Sequence, residues 1–342
     1  QVTIRHGDRS AIHTIPGAGP SSWSCDPFTP GKPVEAQWKK ATLRYNIVSA
    51  VDGSPMERAL GSGGQGGSSG GGGRKSWSPG ACAPGQLTEA GLRQHLSLGA
   101  ALRRAYQSRL GGLAGGGGAG LAADGGIYVR STDYTRTLQS AGALLLTLLP
   151  GAMAVTMAVH PDEGDEIMHG VGLRSSSNVA GGGEKEFMGS CPLAVRLSKA
   201  QNADFQMRSD VSERLAVIFG AEAVGRTVTE LTDNVHARVC HNMTLPCSDE
   251  GCMTSGLARS MMAESDRSLC LRYAGAVGGH TATQLAMYPF LLEVLEGARA
   301  AAAADVATTW LAAAEAALFS GHDTVIAPVL AAIGAYDCTW PP

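Results

Sequence analysis

The first nine residues, QVTIRHGDR, constrain the fold and the chemistry more than any other stretch of this chain. Val2, Thr3 and Ile4 favour a buried β-strand, and Gly7 allows the backbone to turn where that strand ends. The motif Arg-His-Gly-x-Arg would then lie at the carboxyl end of a strand, where open α/β sheets bind their ligands. Guanidinium groups suit phosphate oxygens, and an imidazole between two of them can act as a nucleophile.

Three further segments carry polar residues at the end of a predicted strand or at the start of a predicted helix. Ser320-Gly321-His322-Asp323 follows a short apolar run, and Val129-Arg130-Ser131-Thr132-Asp133 ends another predicted strand. Gly85-Gln86-Leu87-Thr88-Glu89-Ala90-Gly91 precedes a helical pattern that Thr88 can cap. For the first motif alone, a surface loop with two solvated arginines is the simpler interpretation. The recurrence of such segments where predicted strands end and predicted helices begin favours one shared site instead.

Taken together, the four segments resemble those of the histidine acid phosphatases. The resemblance implies an α/β fold, with a central mixed, mainly parallel sheet flanked by helices and an inserted, mainly helical cap. Residues 1–160 and 291–342 would form the phosphatase core, and residues 161–290 would form the cap. The last strands that the family has beyond its His-Asp helix are expected to be missing from this chain.

The same resemblance implies a reaction. His6 would attack phosphorus and form a phosphohistidine, while Asp323 would give a proton to the leaving group. The remaining matched positions would bind the phosphate oxygens; they are Arg5, Arg9, Arg130 and His322. Neither a cofactor nor a metal ion is expected.

Other polar residues near these motifs are given lesser roles. Asp8 fits a solvated or orienting carboxylate, and Asp133 fits a helix cap better than a base. Arg136 fits either a position behind the site or a surface ion pair. For the scattered histidines, packing or surface roles are expected; they are His13, His95, His160 and His169.

Charge and composition narrow the partners. The 342 residues contain 27 Lys and Arg against 30 Asp and Glu, a net charge of −3, which argues against a nucleic-acid partner. Two Gly-rich stretches, 61–73 and 111–126, are predicted to be flexible insertions because they lack apolar surface to bury. The uncharged stretch 137–159 is interrupted by Pro150 and Gly151 and is predicted to be a core helix followed by a strand. Any membrane anchor is expected upstream of this chain.

The eight cysteines show no CxxC pair and no zinc-ligand spacing. We therefore expect disulfides and an oxidising compartment, the alternative being buried thiols in a cytosolic enzyme. Asn242-Met243-Thr244 is a candidate glycosylation site between Cys240 and Cys247. These features predict the secretory pathway, either in the Golgi lumen or as a secreted or lysosomal protein.

The substrate class is suggested by residues 239–252, VCHNMTLPCSDEGC. This segment resembles that of the family members which act on phosphoxylose in glycans, so a phosphorylated glycan or small molecule is the expected substrate. A broad-specificity acid phosphatase or phytase is an alternative. A phytase needs many basic residues near its site, whereas Lys32 is the single Lys or Arg between Arg9 and Lys39. A phosphatase fold that binds without turnover is the alternative of another class.

Overall fold

The computed structural model describes most of the chain. The described residues are 1–18, 23, 25, 44–58, 82–106, 126–150, 154–160, 165–170, 191–275, 278–303, 314 and 316–338. The predicted insertion at 61–73 lies outside these residues, and so does the one at 111–126 except for its last residue.

Among the described residues, five strands form the main sheet, and all the pairings between them are parallel. In spatial order they are β1 (Val2–Arg5), β7 (Ala316–Gly321), β3 (Ile127–Ser131), β4 (Ala154–Val159) and β2 (Arg44–Ser49). A separate short hairpin joins β5 (Cys247–Ser248) and β6 (Gly251–Cys252). The prediction of a mainly parallel α/β sheet is confirmed.

The register of the sheet aligns the ends of its first three strands. Arg5 lies opposite Gly321, and Ser131 lies opposite Ser320. Because all three strands run in the same direction, the residues that follow them emerge together at one edge. The two distant motifs of the sequence meet there for this reason.

Ten helices occur in the described part of the chain. They are α1 (Glu89–Tyr106), α2 (Thr135–Leu148), α3 (Glu166–His169), α4 (Pro192–Asp204), α5 (Ser209–Phe219), α6 (Ala221–Val224), α7 (Val228–Cys240), α8 (Ser255–Ala274), α9 (Gly279–Ala303) and α10 (Asp323–Ala332).

Successive residues of the strands point to opposite faces of the sheet, and helices cover both faces. Val129 and Leu318 pack with the leucines of α2 on one face. Tyr128 and Phe319 pack with Phe290 of α9 and with α10 on the other. Two layers of helices thus cover the sheet, which is how a parallel sheet buries both of its faces.

The helix starts that the sequence predicts have different outcomes. The Thr88 hydroxyl accepts a hydrogen bond from the backbone N–H of Gly91, so the predicted cap of α1 is confirmed. The predicted cap of α2 is wrong, because Tyr134 occupies the N-cap position. The Asp133 carboxylate instead pairs with both Arg58 Nε and Nη2, at 2.8 and 2.7 Å.

A third apolar cluster is formed by the four helices α5, α6, α7 and α8, and it is separate from the two clusters on the sheet. Ile15, from the loop after β1, also packs into it. The boundary predicted between residues 290 and 291 falls inside α9, whose Met287 and Phe290 pack on the sheet. None of the helices among the described residues has both the length and the hydrophobicity needed to cross a bilayer.

Six of the eight cysteines form disulfides. The pairs are Cys25–Cys82, Cys247–Cys252 and Cys270–Cys338, while Cys191 and Cys240 are free. The bond between Cys247 and Cys252 closes the β5–β6 hairpin, and the bond from Cys270 ties α8 to the residues after α10.

Candidate active site

The candidate site lies where β1, β7 and β3 end. The backbone N–H of His6 donates to the Gly321 carbonyl at 2.9 Å, and that of Thr132 donates to the Ser320 carbonyl at 3.1 Å. These bonds extend the sheet pairing by one residue beyond the strands. They fix the backbone of the three segments at the point where their side chains meet.

His6 is buried and held in one orientation. Its Nδ1 lies 2.7 Å from the Gly7 carbonyl oxygen, which can only accept, so Nδ1 carries the proton. In the neutral ring, Nε2 therefore keeps its lone pair. Burial, followed by the charges of Arg5 and Arg136, lowers the pKa of His6 to about 2. The ring consequently stays neutral in mildly acidic solution, as a nucleophile requires.

Three arginines surround this imidazole: Arg5, Arg9 and Arg136. All three charges lower the pKa of His6, and the Arg136 guanidinium stacks 4.4 Å from the centre of the Tyr134 ring. The Nε atoms of Arg9 and Arg136 are buried and have no hydrogen-bond partner among the described residues. Burial, with repulsion from Arg9, lowers the pKa of Arg136 to about 10, so it remains cationic. Such a cluster of unpartnered donors is suited to an anion with several oxygens.

Arg130 lies elsewhere, and its predicted contact with phosphate does not fit the structure. Its Nη1 bonds Glu293 at 2.7 Å, and its Nη2 bonds Asp165 at 3.0 Å. Arg130 is opposite Phe319 in the sheet, so its side chain lies on the face covered by α9. Asp165 also caps α3 by accepting from the Met168 N–H, and Arg130 therefore supports that short helix.

His322 is packed between aromatic rings next to His6. The centroids of the His6 and His322 rings are 5.3 Å apart, and those of Tyr134 and His322 are 4.9 Å apart. His169, at the end of α3, stacks on His322 at 5.3 Å with an interplanar angle of 18°. Burial and the charge of Arg136 lower the pKa of His322 well below its usual value.

One ring nitrogen of His322 is already engaged. Its Nε2 lies 3.0 Å from the Thr132 hydroxyl, which also bonds Thr137. This contact fixes the ring and leaves Nδ1 as the nitrogen available to a substrate. His322 thus offers one polar atom beside the arginine cluster.

Asp323 is the first residue of α10 and lies at the exposed side of the site. Its side chain is 62% exposed, and its Oδ2 is 3.6 Å from Arg5 Nε. A carboxyl group in this position, between the arginines and the solvent, can meet the leaving oxygen of an ester.

Asp8 and Gly7 fix the backbone between the two arginines of the first motif. Asp8 is not solvated, since its Oδ2 bonds the Thr88 hydroxyl and lies 2.6 Å from His241 Nε2. A Cβ on Gly7 would lie 2.4 Å from the Gly91 carbonyl oxygen. Gly7 is therefore required by this close approach to α1, and not by a left-handed backbone, since its φ is not positive.

Five residues that the motifs predict to share a site also lie together in the structure: His6, Arg5, Arg9, His322 and Asp323. Arg136, predicted to lie behind the site or in a surface ion pair, belongs to the arginine cluster, and the sequence did not indicate the ring of Tyr134. His169, for which a packing or surface role was expected, packs on His322. A signal for Arg136 was present: it stands in the first turn of the helix after β3, and helix N-termini attract anions. No group of His, Cys, Asp and Glu suited to a metal ion occurs in the part of the chain that the structure describes.

Known proteins resemble this chain in sequence. Residues 1–240 match the model of the histidine phosphatase superfamily, branch 2. Counting factor 60 of Dictyostelium discoideum is 25% identical over 360 residues, a match that covers all of this chain and 73% of that protein. Human 2-phosphoxylose phosphatase 1 is 24% identical, over 99% of this chain and 64% of its own length. Human lysophosphatidic acid phosphatase type 6 is 25% identical, over 100% and 70%.

Among solved structures, the phytase of Hafnia alvei in complex with tartrate superposes with a TM-score of 0.51. Its sequence is 13% identical, and the superposition covers 97% of this chain and 74% of the phytase. At this identity the likeness concerns the fold alone. The family match covers more than half of the chain, and its residues include the first strand, His6 and the three arginines of the cluster. The chain belongs to branch 2 of the histidine phosphatase superfamily, a family of phosphoric monoester hydrolases.

Proposed function

We propose that this chain is an acid phosphatase that hydrolyses a phosphomonoester through a phosphohistidine on His6. Nε2 of His6 attacks phosphorus, and the P–O bond to the alcohol breaks while Asp323 gives its proton to the leaving oxygen. Water then attacks phosphorus and cleaves the P–N bond, and the Asp323 carboxylate accepts the proton that the water loses. Inorganic phosphate is released and both side chains return to their starting states.

The observation that carries this proposal is the arginine cluster around a neutral, oriented imidazole. Phosphoryl transfer requires positioning and charge stabilisation more than covalent chemistry from the protein. Arg5, Arg9 and Arg136 supply the charge, and the Gly7 carbonyl becomes a better partner for Nδ1 when the ring turns cationic. His322 adds its free ring nitrogen beside them.

Asp323→Asn is expected to slow the enzyme according to the leaving group. A sugar alkoxide leaves poorly without a proton, so its release should slow by about 10²–10⁴-fold. A nitrophenolate leaves without protonation, so phosphorylation of His6 by nitrophenyl phosphate should slow far less. Presteady-state bursts with both substrates measure this difference, with Thr324→Ser as the control in the same turn of α10. Equal losses for the two substrates would contradict the role of Asp323.

For the substrate we propose a sugar phosphate on a glycan, of the 2-phosphoxylose type. A relative carries that name, and the segment that suggested it, residues 239–252, contains the His241 that contacts Asp8 of the first motif. A panel at about pH 5 tests the proposal, with a phosphoxylose glycan, lysophosphatidic acid, inositol hexakisphosphate and an aryl phosphate. The highest kcat/KM is expected for the glycan. Comparable values throughout would indicate a broad-specificity enzyme or, with inositol hexakisphosphate preferred, a phytase. Phosphate binding without turnover would indicate a non-catalytic protein.

We further propose that the protein folds in the secretory pathway, in the Golgi lumen or on the way to secretion or lysosomes. The three disulfides support an oxidising compartment. Asn242 and Thr244 are both exposed, as attachment of a glycan requires. Expression in a secretory host should give a protein whose electrophoretic mobility shifts after N-glycosidase treatment. Asn242→Gln should abolish that shift, and a shift that persists would place the glycan elsewhere.

A further inference from the structure

Helix α7 presents a carboxylate to the phosphate loop, which consists of residues 8–13. The Asp233 Oδ1 lies 2.7 Å from Arg9 Nη1. Its Oδ2 accepts from the backbone N–H of Ile12 at 2.6 Å and from that of His13 at 3.1 Å. One side chain, 11% exposed, thus holds the guanidinium and the backbone of the same loop.

A carboxylate beside an anion site requires an explanation, because by its charge alone it repels the substrate. Arg9 is close to two further cations, Arg5 and Arg136, and the charge of Arg9 contributes to the lowered pKa of Arg136. Asp233 compensates one of these charges while the site is empty. It therefore allows three guanidinium groups to be held close together.

The contact with Asp233 uses Nη1 of Arg9 and does not involve the edge of the guanidinium formed by Nε and Nη2. Nη1 is engaged by Asp233 and by the Ser10 carbonyl at 3.0 Å. Nε is buried without a hydrogen-bond partner in the described residues. Two neighbouring N–H groups, on Nε and Nη2, can then bind two oxygens of one phosphate in the bidentate manner that guanidinium favours.

Two other residues, one in α7 and one just after it, bond the loop at residues other than Arg9. Asn234 Nδ2 donates to the His13 carbonyl at 3.0 Å. Beyond the end of the helix, His241 bonds Asp8. Asn234 therefore provides a matched control: it lies next to Asp233 and binds the same loop, and its oxygen accepts from Arg238 instead of Arg9.

We propose that Asp233 is a positioning residue that orients Arg9 for bidentate binding of the phosphoryl group. The inference rests on the proposed function, since it assigns Arg9 to the phosphate. Asparagine at 233 has one oxygen and can serve either Arg9 or the two backbone amides, but not both. Asp233→Asn should therefore release Arg9 while the helix remains folded.

The test compares Asp233→Asn with Asn234→Ala in the full chain. Inorganic phosphate is the probe, with its affinity measured by calorimetry and its inhibition constant measured during turnover. Asp233→Asn should weaken phosphate binding and raise KM by about 10-fold, with a smaller change in kcat. Asn234→Ala should leave both near the wild-type values. Melting temperatures of both variants show whether a loss comes from the fold.

A double-mutant cycle separates positioning through Arg9 from a general effect of charge. In an Arg9→Ala background, Asp233→Asn should change phosphate affinity by less than about twofold, because the residue it orients is gone. Equal effects of Asp233→Asn with and without Arg9, or equal losses in Asp233→Asn and Asn234→Ala, would overturn the inference while the wild type still hydrolyses the ester. A wild-type protein that neither binds phosphate nor hydrolyses an ester overturns the proposed function and this inference with it.

Discussion

Replacing His6 with alanine is expected to lower the turnover of every phosphomonoester by at least about 10⁴-fold, because no other side chain can take over the covalent step. The ring of His322 is close, but it is held in a different place by the bond of its Nε2 to Thr132 and by the His169 ring stacked on it. His13→Ala is the matched control, since His13 stands in the same loop and bonds α7 through its backbone N–H and carbonyl, which the substitution keeps. Substantial turnover by His6→Ala would contradict the assignment.

The covalent intermediate gives a second and independent readout. Wild-type enzyme mixed with a labelled substrate and quenched in alkali should retain one label per chain, because the P–N bond of a phosphohistidine survives base. His6→Ala should retain none, and His13→Ala should retain as much as the wild type. Label that is stable to acid and lost in base would indicate a different nucleophile.

The pH dependence of phosphorylation follows from the lowered pKa of His6. A free imidazole is mostly protonated below pH 6.5 and loses its lone pair. With the pKa of His6 held at about 2 by burial and the arginines, the attacking nitrogen stays unprotonated as the pH falls from 7 to 4. Protonation of the nucleophile should therefore not lower the rate of phosphorylation over that interval. The mechanism needs this property, because its proton donor must carry a proton while the nucleophile does not.

The sheet and the meeting of the two motifs could be predicted because both follow from local patterns. β-branched and apolar runs mark β1 and β7, and the residues after parallel strands must emerge at one edge. Helices α5 and α7 bury apolar residues at regular helical spacing, such as Val211, Leu215 and Phe219 in α5, so their local pattern indicates a helix. The apolar residues of α8 do not form one regular stripe, so its pattern is much weaker.

The contacts that orient the site could not be predicted in the same way. Asp233 and His241 bind residues more than 200 positions earlier in the chain, and Glu293 binds Arg130 across 163 positions. No local pattern distinguishes these carboxylates and this imidazole from surface residues. Their partners are decided by how α7 and α9 pack, which only the folded chain reveals.

The choice between Arg130 and Arg136 has a physical basis that the motif alone does not contain. Neighbouring strand residues face opposite sides of a sheet, so Arg130 shares the α9 face with Tyr128, two residues earlier. Arg136 belongs to the next element and stands in the first turn of α2, directly after the strand end. The motif assigned the phosphate to Arg130, whereas in the structure it is the charge of Arg136 that acts on His6.

Alanine substitutions at these two arginines are expected to have opposite consequences. Arg136→Ala should lower kcat/KM by about 10²–10³-fold, the loss typical of one group that stabilises transition-state charge. The stability of this variant should be kept or rise, because burial and then repulsion from Arg9 lower the pKa of Arg136, and both therefore disfavour the cation in the folded chain. Thermal unfolding and the inhibition constant of inorganic phosphate, measured on the same sample, check both parts.

Arg130→Ala should instead remove about 3–5 kcal/mol from the free energy of unfolding, since it leaves the buried Asp165 and the largely buried Glu293 without their cation. The fraction that remains folded should bind inorganic phosphate with an affinity near that of the wild type. Part of the cost should fall on α3, whose capping residue is Asp165, and so on the stacking of His169 against His322. A stable Arg130→Ala protein with weakened phosphate binding would contradict this assignment if Arg136→Ala bound phosphate normally. Arg130 would then be the phosphate ligand, and Arg136 would not.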